Sequence, residues 1–323
     1  MKLTSIFPLA LALLSLSACG GGGPSHQPTE KYFLIATNTK IPYWQEAGAG
    51  LLKAARELGV QAEMVGPDAY DPQAEREEFR RTVAKKPAGI LVSPGDPQIL
   101  KPEIDAAVAA GIPVVTIDSD APQSQRLFFV GTNNYQAGLM GGRLAAKLLN
   151  GKGNVVFYTI PAQENLQERL RGYRAAFEGS PGIKVAEIIA MNGDARIAFD
   201  KTSELVTKKA PVDAFIALEA LSGSEIADVL ERNKVEGKLI IAMDTTGSTP
   251  DWIEKGRIAA TIAQKPFTMG YYGLKAVAEV ALRKPASLTV NFATDPRSPL
   301  PVYIDTGVFL VDKTNVASLR AAK

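Results

Sequence analysis

Asp118, Glu219 and Asp244 each close a short apolar run, and Arg169 follows another. Thr37 with Asn38, Ser93 and Gln264 close further runs of the same kind, and Tyr43 and Trp44 lie just past the first. Together they offer three carboxylates, one guanidinium, two aromatic rings and several hydroxyl and amide groups. Carboxylates accept hydrogen bonds from hydroxyls, a guanidinium donates through a rigid fork, and rings cover apolar C–H faces. Such a set suits a small polyhydroxylated ligand. Plainer readings compete with it. An Asp that ends a strand is often a helix N-cap. Glu219 reads equally well as a solvated loop residue, and Arg169, in a run with Arg171 and Arg174, as a surface charge. Tyr43 and Trp44 are adjacent, so both cannot face one helix core.

The elements that must position these residues follow from periodicity. Val- and Ile-rich runs read as strands at 32–37, 61–65, 89–93, 113–118, 127–131, 154–160, 185–191, 214–219, 239–244, 258–263 and 302–311. Most are separated by segments of helical period. In 42–58, Trp44, Leu51, Leu52, Ala55 and Leu58 share a face, Pro42 suits the first turn and Gly59 the C-terminal cap. Continuous apolar strands alternating with helices predict parallel sheets covered on both faces. Eleven strands are too many for one open sheet of a small domain, so two doubly wound α/β sheets are expected. In such sheets ligands bind beyond the carboxyl ends of the strands, where the polar residues above are placed. Gly138, Gly141 and Gly142 lie inside a helical pattern and not at its start, so they read as close-packing positions and not as a dinucleotide fingerprint.

Composition removes several classes of chemistry. The chain has 323 residues, a net charge of +2 and 46% hydrophobic residues, ordinary values that give no basic footprint for nucleic acid. Its one cysteine, Cys19, permits no intramolecular disulfide and no thiolate metal cluster. Its one histidine, His26, precedes the first predicted strand, so a Ser-His-Asp triad or a His-ligated zinc is not expected in the fold. No Walker A pattern occurs. No cofactor or metal is expected. Carboxylate-only glycosidase chemistry through Asp118, Asp244 or Glu219 remains open on composition alone.

Two resemblances sharpen this. Leu16-Ser17-Ala18-Cys19, behind Lys2 and the apolar run 6–16, resembles the lipobox of a bacterial lipoprotein signal peptide. It implies a signal at 1–18, lipidation and membrane anchoring at Cys19, and a flexible Gly-rich linker over 19–30. The apolar run is short of the about 20 residues that span a bilayer. The second resemblance covers nearly everything after Lys31. Ile41-Pro42-Tyr43-Trp44, the run 112–118, Glu168-Arg169 with Gly172-Tyr173, and above all 256–266 around Gln264 resemble the type I periplasmic binding proteins, ribose/rhamnose-type sugar-binding subgroup.

That resemblance implies two Rossmann-like lobes joined by three crossings, with a sugar between them: one lobe from 31–132 and 265–302, the other from 133–264 and 303–323. Carried over residue by residue, it makes Tyr43 and Trp44 ring-stacking residues, Asp118, Arg169 and Asp244 polar contacts, and Gln264 a hinge contact. Several positions depart from the ribose pattern. Ser93 and Glu219 stand where it has asparagines, Ser119 stands where it has arginine, and no second-lobe aromatic is evident near Asp194-Ala195-Arg196. Asp118-Ser119-Asp120 and Gly66-Pro67 look like the rhamnose and autoinducer-2 branch. The loss of an arginine and the gain of Glu219 make the pocket more anionic. A neutral monosaccharide is the first expectation, and an amino-substituted or cationic ligand the second. The role implied is the substrate-binding lipoprotein of an ABC importer. Its expected partners are a permease and its ATPase, and a monomer outside the cytoplasm, without enzymatic activity, is expected. The alternatives are a sensory sugar receptor serving a chemoreceptor or histidine kinase and, from another class, a secreted glycosidase.

Overall fold

The computed structural model describes residues 25–321 apart from 291 and 293; the signal segment and Cys19 lie outside the described residues. Strands β1 (Lys31–Ile35), β2 (Gln61–Val65), β3 (Gly89–Val92), β4 (Val114–Ile117), β5 (Phe129–Gly131) and β11 (Tyr303–Asp305) form a sheet in the order β11-β5-β4-β3-β1-β2. A second sheet, in the order β12-β10-β9-β8-β6-β7, contains β6 (Lys152–Thr159), β7 (Gly182–Ala190), β8 (Ala214–Ala217), β9 (Leu239–Met243), β10 (Ala260–Ala263) and β12 (Phe309–Asp312). All pairings are parallel except that of β12 with β10. Every residue of β3, β4, β8 and β10 is buried, as expected for parallel strands with helices on both faces.

Around the first sheet pack α1 (Pro42–Leu58), α2 (Pro72–Ala84), α3 (Pro97–Ala109) and α9 (Pro266–Leu282). Helices α4 (Asn134–Leu148), α5 (Glu164–Phe177), α6 (Ala195–Thr207), α7 (Ser222–Arg232), α8 (Thr249–Glu254) and α10 (Ser318–Ala321) belong to the second half. Local chemistry sets their ends. Pro42 opens α1, and Gly59, at φ 69°, closes it in the left-handed conformation. Asp71 caps α2 by accepting from the Gln73 and Ala74 amides, with Pro72 in the first turn. Each sheet carries its own hydrophobic core, one around Leu34, Leu91 and Val115, the other around Phe157, Ile216 and Ile241.

The predicted helix 42–58 and strand 61–65 stand as read, whereas most other strands end one or two residues earlier than their apolar runs. One reading fails. The run 302–311 is not a single strand: β11 pairs with β5 in the first sheet, and β12 pairs with β10 in the second. The last crossing therefore falls at 306–308 and not at 302/303, and the described chain has twelve strands, not eleven. Periodicity cannot detect this, because a chain that passes between two sheets stays apolar on both sides of the passage. The other crossings lie at 132–133, between β5 and α4, and at 264–265, between β10 and α9. All three run along one edge of the molecule, beside β5, β10, β11 and β12. No helix among the described residues is long and apolar enough to cross a membrane.

Candidate functional site

The carboxyl ends of the two sheets face each other across a cleft, with about 530 Å³ of empty space including its mouth. Eight of the nine candidate ligand-binding residues line it: Asn38, Tyr43, Trp44, Asp118, Arg169, Glu219, Asp244 and Gln264. Ser93 does not. It is buried behind Asp118, where its hydroxyl accepts from the Ser119 amide at 3.4 Å and hydrogen-bonds the Asp118 carboxylate.

Asp118 and Asp244 sit one residue past β4 and β9, at φ 64° and 65°. Neither caps a helix: β5 follows Asp118, and the N-cap of α8 is Ser248. The left-handed turn points each carboxylate into the cleft, and Asp tolerates it better than most side chains. Asp118 accepts from the Tyr43 hydroxyl at 2.6 Å and from Asn165 Nδ2, on the opposite lobe, at 3.2 Å. Both Asp244 oxygens accept from Gln264 Nε2 at 3.2 Å.

Arg169 is 2% exposed, so the surface-charge reading fails. Its Nε donates to Asn134 at 2.8 Å, and its two terminal nitrogens donate to the Leu218 carbonyl at 2.7 Å and to Gln264 Oε1 at 2.6 Å. The solvated-loop reading of Glu219 fails too. Its carboxylate accepts from the Leu221 amide at 2.6 Å and the Ser222 amide at 2.9 Å, and also binds the Ser222 hydroxyl, so it secures the start of α7 while facing the cleft.

Tyr43 and Trp44 are both buried, yet as adjacency requires they do not share one face of the helix. The first turn of α1 is covered on more than one side, so successive side chains find different partners. Tyr43 reaches Asp118, whereas Trp44 donates its Nε1 hydrogen to Thr37 Oγ1 at 3.1 Å. Their rings meet edge to face at 5.4 Å. Asp120, of the Asp118-Ser119-Asp120 run, is turned away into a fork with Arg126, at 2.7 and 2.6 Å, and is absent from the cavity wall.

Burial pushes all three carboxyls above their ordinary range. For Asp118 and Glu219 the rise is opposed by Arg169 and by hydrogen bonds. Asp244 is lifted to about 7, first by burial, with the charge of Asp118 adding to it and Arg169 opposing it. At neutral pH Asp244 is therefore only partly ionised, which limits the negative charge of the site. The site presents carboxyl and amide groups on both lobes, an arrangement for holding hydroxyls. Among the described residues no group of His, Cys, Asp and Glu is placed to hold a metal ion.

Sequence reading missed Tyr70, Ile160, Gln163, Asn165 and Gly193 in the wall. Gln163 and Asn165 follow β6 and were within reach of the strand-end rule. Tyr70, in the β2–α2 connection, carries no such signal.

The periplasmic binding protein domain family matches residues 32–285. The ribose import binding protein RbsB of Bacillus subtilis is 25% identical over 299 residues, covering 88% of this chain and 94% of that protein. Two solved structures from Geobacillus stearothermophilus superpose along 90% of this chain and 99% of their own. They are GanP, a glucose-galactose binding protein (30% identity, TM-score 0.81), and AraP, an arabinose binding protein (33% identity, TM-score 0.72). Two α/β lobes, facing strand ends and a match across most of the chain agree: this chain belongs to the periplasmic binding protein domain family.

Proposed function

We propose that the protein is the substrate-binding subunit of an ABC importer for a monosaccharide, acting by capture and not by turnover. The observation that carries this is the cleft itself: Asp118 and Tyr43 from one lobe and Arg169, Glu219 and Asp244 from the other line a single cavity. A ligand that touches both lobes favours the closed arrangement over the open one, and a permease and its ATPase then distinguish loaded from empty protein. The similar proteins named for ribose, arabinose, glucose and galactose support a sugar as the ligand.

A neutral sugar is favoured over a cationic one. Three carboxyls face one guanidinium, but Asp244, lifted to about 7, is only partly ionised at neutral pH, so the surplus negative charge is smaller than the residue count suggests. A thermal-shift screen across neutral monosaccharides, amino sugars and polyols tests this. A ligand at 100 times its Kd adds about 2.7 kcal/mol of stability. A shift with a neutral monosaccharide is expected; a response confined to amino sugars would reverse the ligand assignment, and no response to any compound would reject the function.

The anchored form places the cleft outside the cytoplasm, on the Gly-rich segment after Cys19. Stable attachment takes more than one acyl chain, at about 0.8 kcal/mol per buried CH₂. Cys19→Ala is expected to release the protein from the membrane fraction; an unchanged distribution would remove the anchor. The protein is expected to act as a monomer, which light scattering of the protein from 25 onward would check.

A further inference from the structure

The edge of the molecule opposite the crossings holds a contact that the ligand-binding residues do not explain. The crossings run beside β5, β10, β11 and β12, whereas β2 and β7 are the edge strands on the far side of the two sheets. When lobes swing about a hinge, the far side moves most. There the connection after β2 meets the connection after β7, and the residues that meet are Tyr70 and Gly193, both in the cavity wall. Tyr70 belongs by sequence to the first lobe, yet its side chain packs against the hydrophobic core of the second. A Cβ on Gly193 would lie 2.3 Å from Tyr70 Cβ, closer than such atoms approach, and 3.0 Å from Cγ. Gly193 also sits at φ 72°, where a side chain is disfavoured.

Tyr70 is held from behind. Its hydroxyl donates to the Gly95 carbonyl at 2.7 Å, and the Gly95 amide donates to the buried carboxyl of Glu75 at 3.0 Å. With its one hydrogen spent on Gly95, Tyr70 has no donor left for a ligand, and its ring is what it offers the cavity. Among the described residues the second lobe supplies no aromatic side chain to the cavity wall.

We propose that Tyr70 closes the mouth of the cleft by seating on Gly193, and that it is the specificity-determining wall at that end. It makes the cavity take a C–H face there and excludes ligands that continue past one sugar ring. Tyr70 is a positioning residue for the closed state as well as a contact, because ligand release requires it to leave Gly193.

This rests on the sugar-binding reading, so the test begins with the wild type. Free aldopentoses and aldohexoses, and disaccharides of the best of them, are titrated calorimetrically into wild type, Tyr70→Ala, Tyr70→Phe and Gly193→Ala, and release is followed by stopped flow. For the best monosaccharide, Tyr70→Ala and Gly193→Ala are each expected to weaken binding about tenfold or more, mainly through faster release. Tyr70→Phe, which keeps the ring, is expected to stay within about threefold of wild type. Tyr70→Ala is also expected to narrow the preference for monosaccharide over disaccharide, a ratio that a merely structural role would not move. Wild-type binding with unchanged affinity and preference in Tyr70→Ala overturns this inference alone. A wild type that binds none of the sugars overturns the functional reading, and this inference with it.

Discussion

The two lobes use one device at Asp118 and Asp244 and then surround it differently. Each aspartate follows a buried strand, turns through a left-handed residue, and donates its amide to the neighbouring strand, to Val130 O at 3.0 Å and Ile262 O at 2.9 Å. In the first lobe the carboxylate then meets a phenol, a hydroxyl and an amide from across the cleft. In the second it meets only Gln264, at a crossing, and stands near Arg169. The helices show the same parallel. Glycines let α1 and α9 touch in one lobe and α4 and α5 in the other: a Cβ at Gly270 would lie 2.0 Å from Ala47 O, and one at Gly138 would lie 2.1 Å from Arg169 O. The lobes share a scaffold, and the division of labour is chemical. One brings aromatic rings, and the other brings the guanidinium and two carboxyls.

The largest expected effect is at Arg169. Arg169→Ala leaves Asn134, the Leu218 carbonyl and Gln264 without that partner and removes the only positive charge among the described residues that line the cavity. A loss of about 3–5 kcal/mol is expected in urea unfolding, with sugar binding abolished in calorimetry. A loss below about 1 kcal/mol would mean that the second lobe does not depend on its guanidinium.

Next comes the pH dependence. The Asp244 carboxyl rises from 3.8 in the unfolded chain to about 7 in the fold, so the fold holds this proton more tightly. The resulting stabilisation is fully present below about pH 4 and is lost as the pH rises through about 7. Asp118 and Glu219 shift in the same direction. Ligand-free protein is therefore expected to lose stability across that window, on the order of 4 kcal/mol at Asp244. Asp244→Asn should flatten the slope more than Asp118→Asn does, and equal slopes in the two variants would erase the contrast between the lobes.

Gly138→Ala and Gly270→Ala test the shared scaffold. Each forces a backbone contact apart, and similar losses of about 1–3 kcal/mol are expected in thermal unfolding. A neutral result at either site would show that one helix pair relaxes where the other does not. Smaller still is the turn itself. Asn keeps a left-handed residue comfortable and Ala does not, so Ala should cost about 1 kcal/mol more than Asn at both 118 and 244. A difference at one site only would mean that the two turns are not equivalent. The last effect is spectroscopic. Trp44 is buried at the cleft, while half-buried Trp252 lies outside it, stacked beneath Lys255 at 4.4 Å. Sugar should change the emission of wild type and Trp252→Phe but not of Trp44→Phe. The reverse pattern would remove Trp44 from the site.

Much of the fold was legible because strands buried on both faces leave an unbroken apolar run, as at Gly89–Val92 and Ala214–Ala217, and end where polarity returns. That same return of polarity marked Asp118, Glu219 and Asp244. It also marked Ser93, wrongly for the cavity wall, because a strand-end residue in a parallel sheet can be covered by its neighbour's turn.

By itself the sequence determined the alternation of strand and helix, the exclusion of His- and Cys-based chemistry from the fold, and the placement of polar groups at strand ends. These are local properties, set by periodicity, by residue type and by the turn each residue favours. Only the tertiary structure decided that 302–311 divides between two sheets, that Arg169 is spent on Asn134, Leu218 and Gln264, and that Tyr70 comes to rest on Gly193. The physical reason is the same in each case. Gly193 and Tyr70 are 123 residues apart and on different lobes, and no local preference encodes a contact made when two separately built surfaces close on each other.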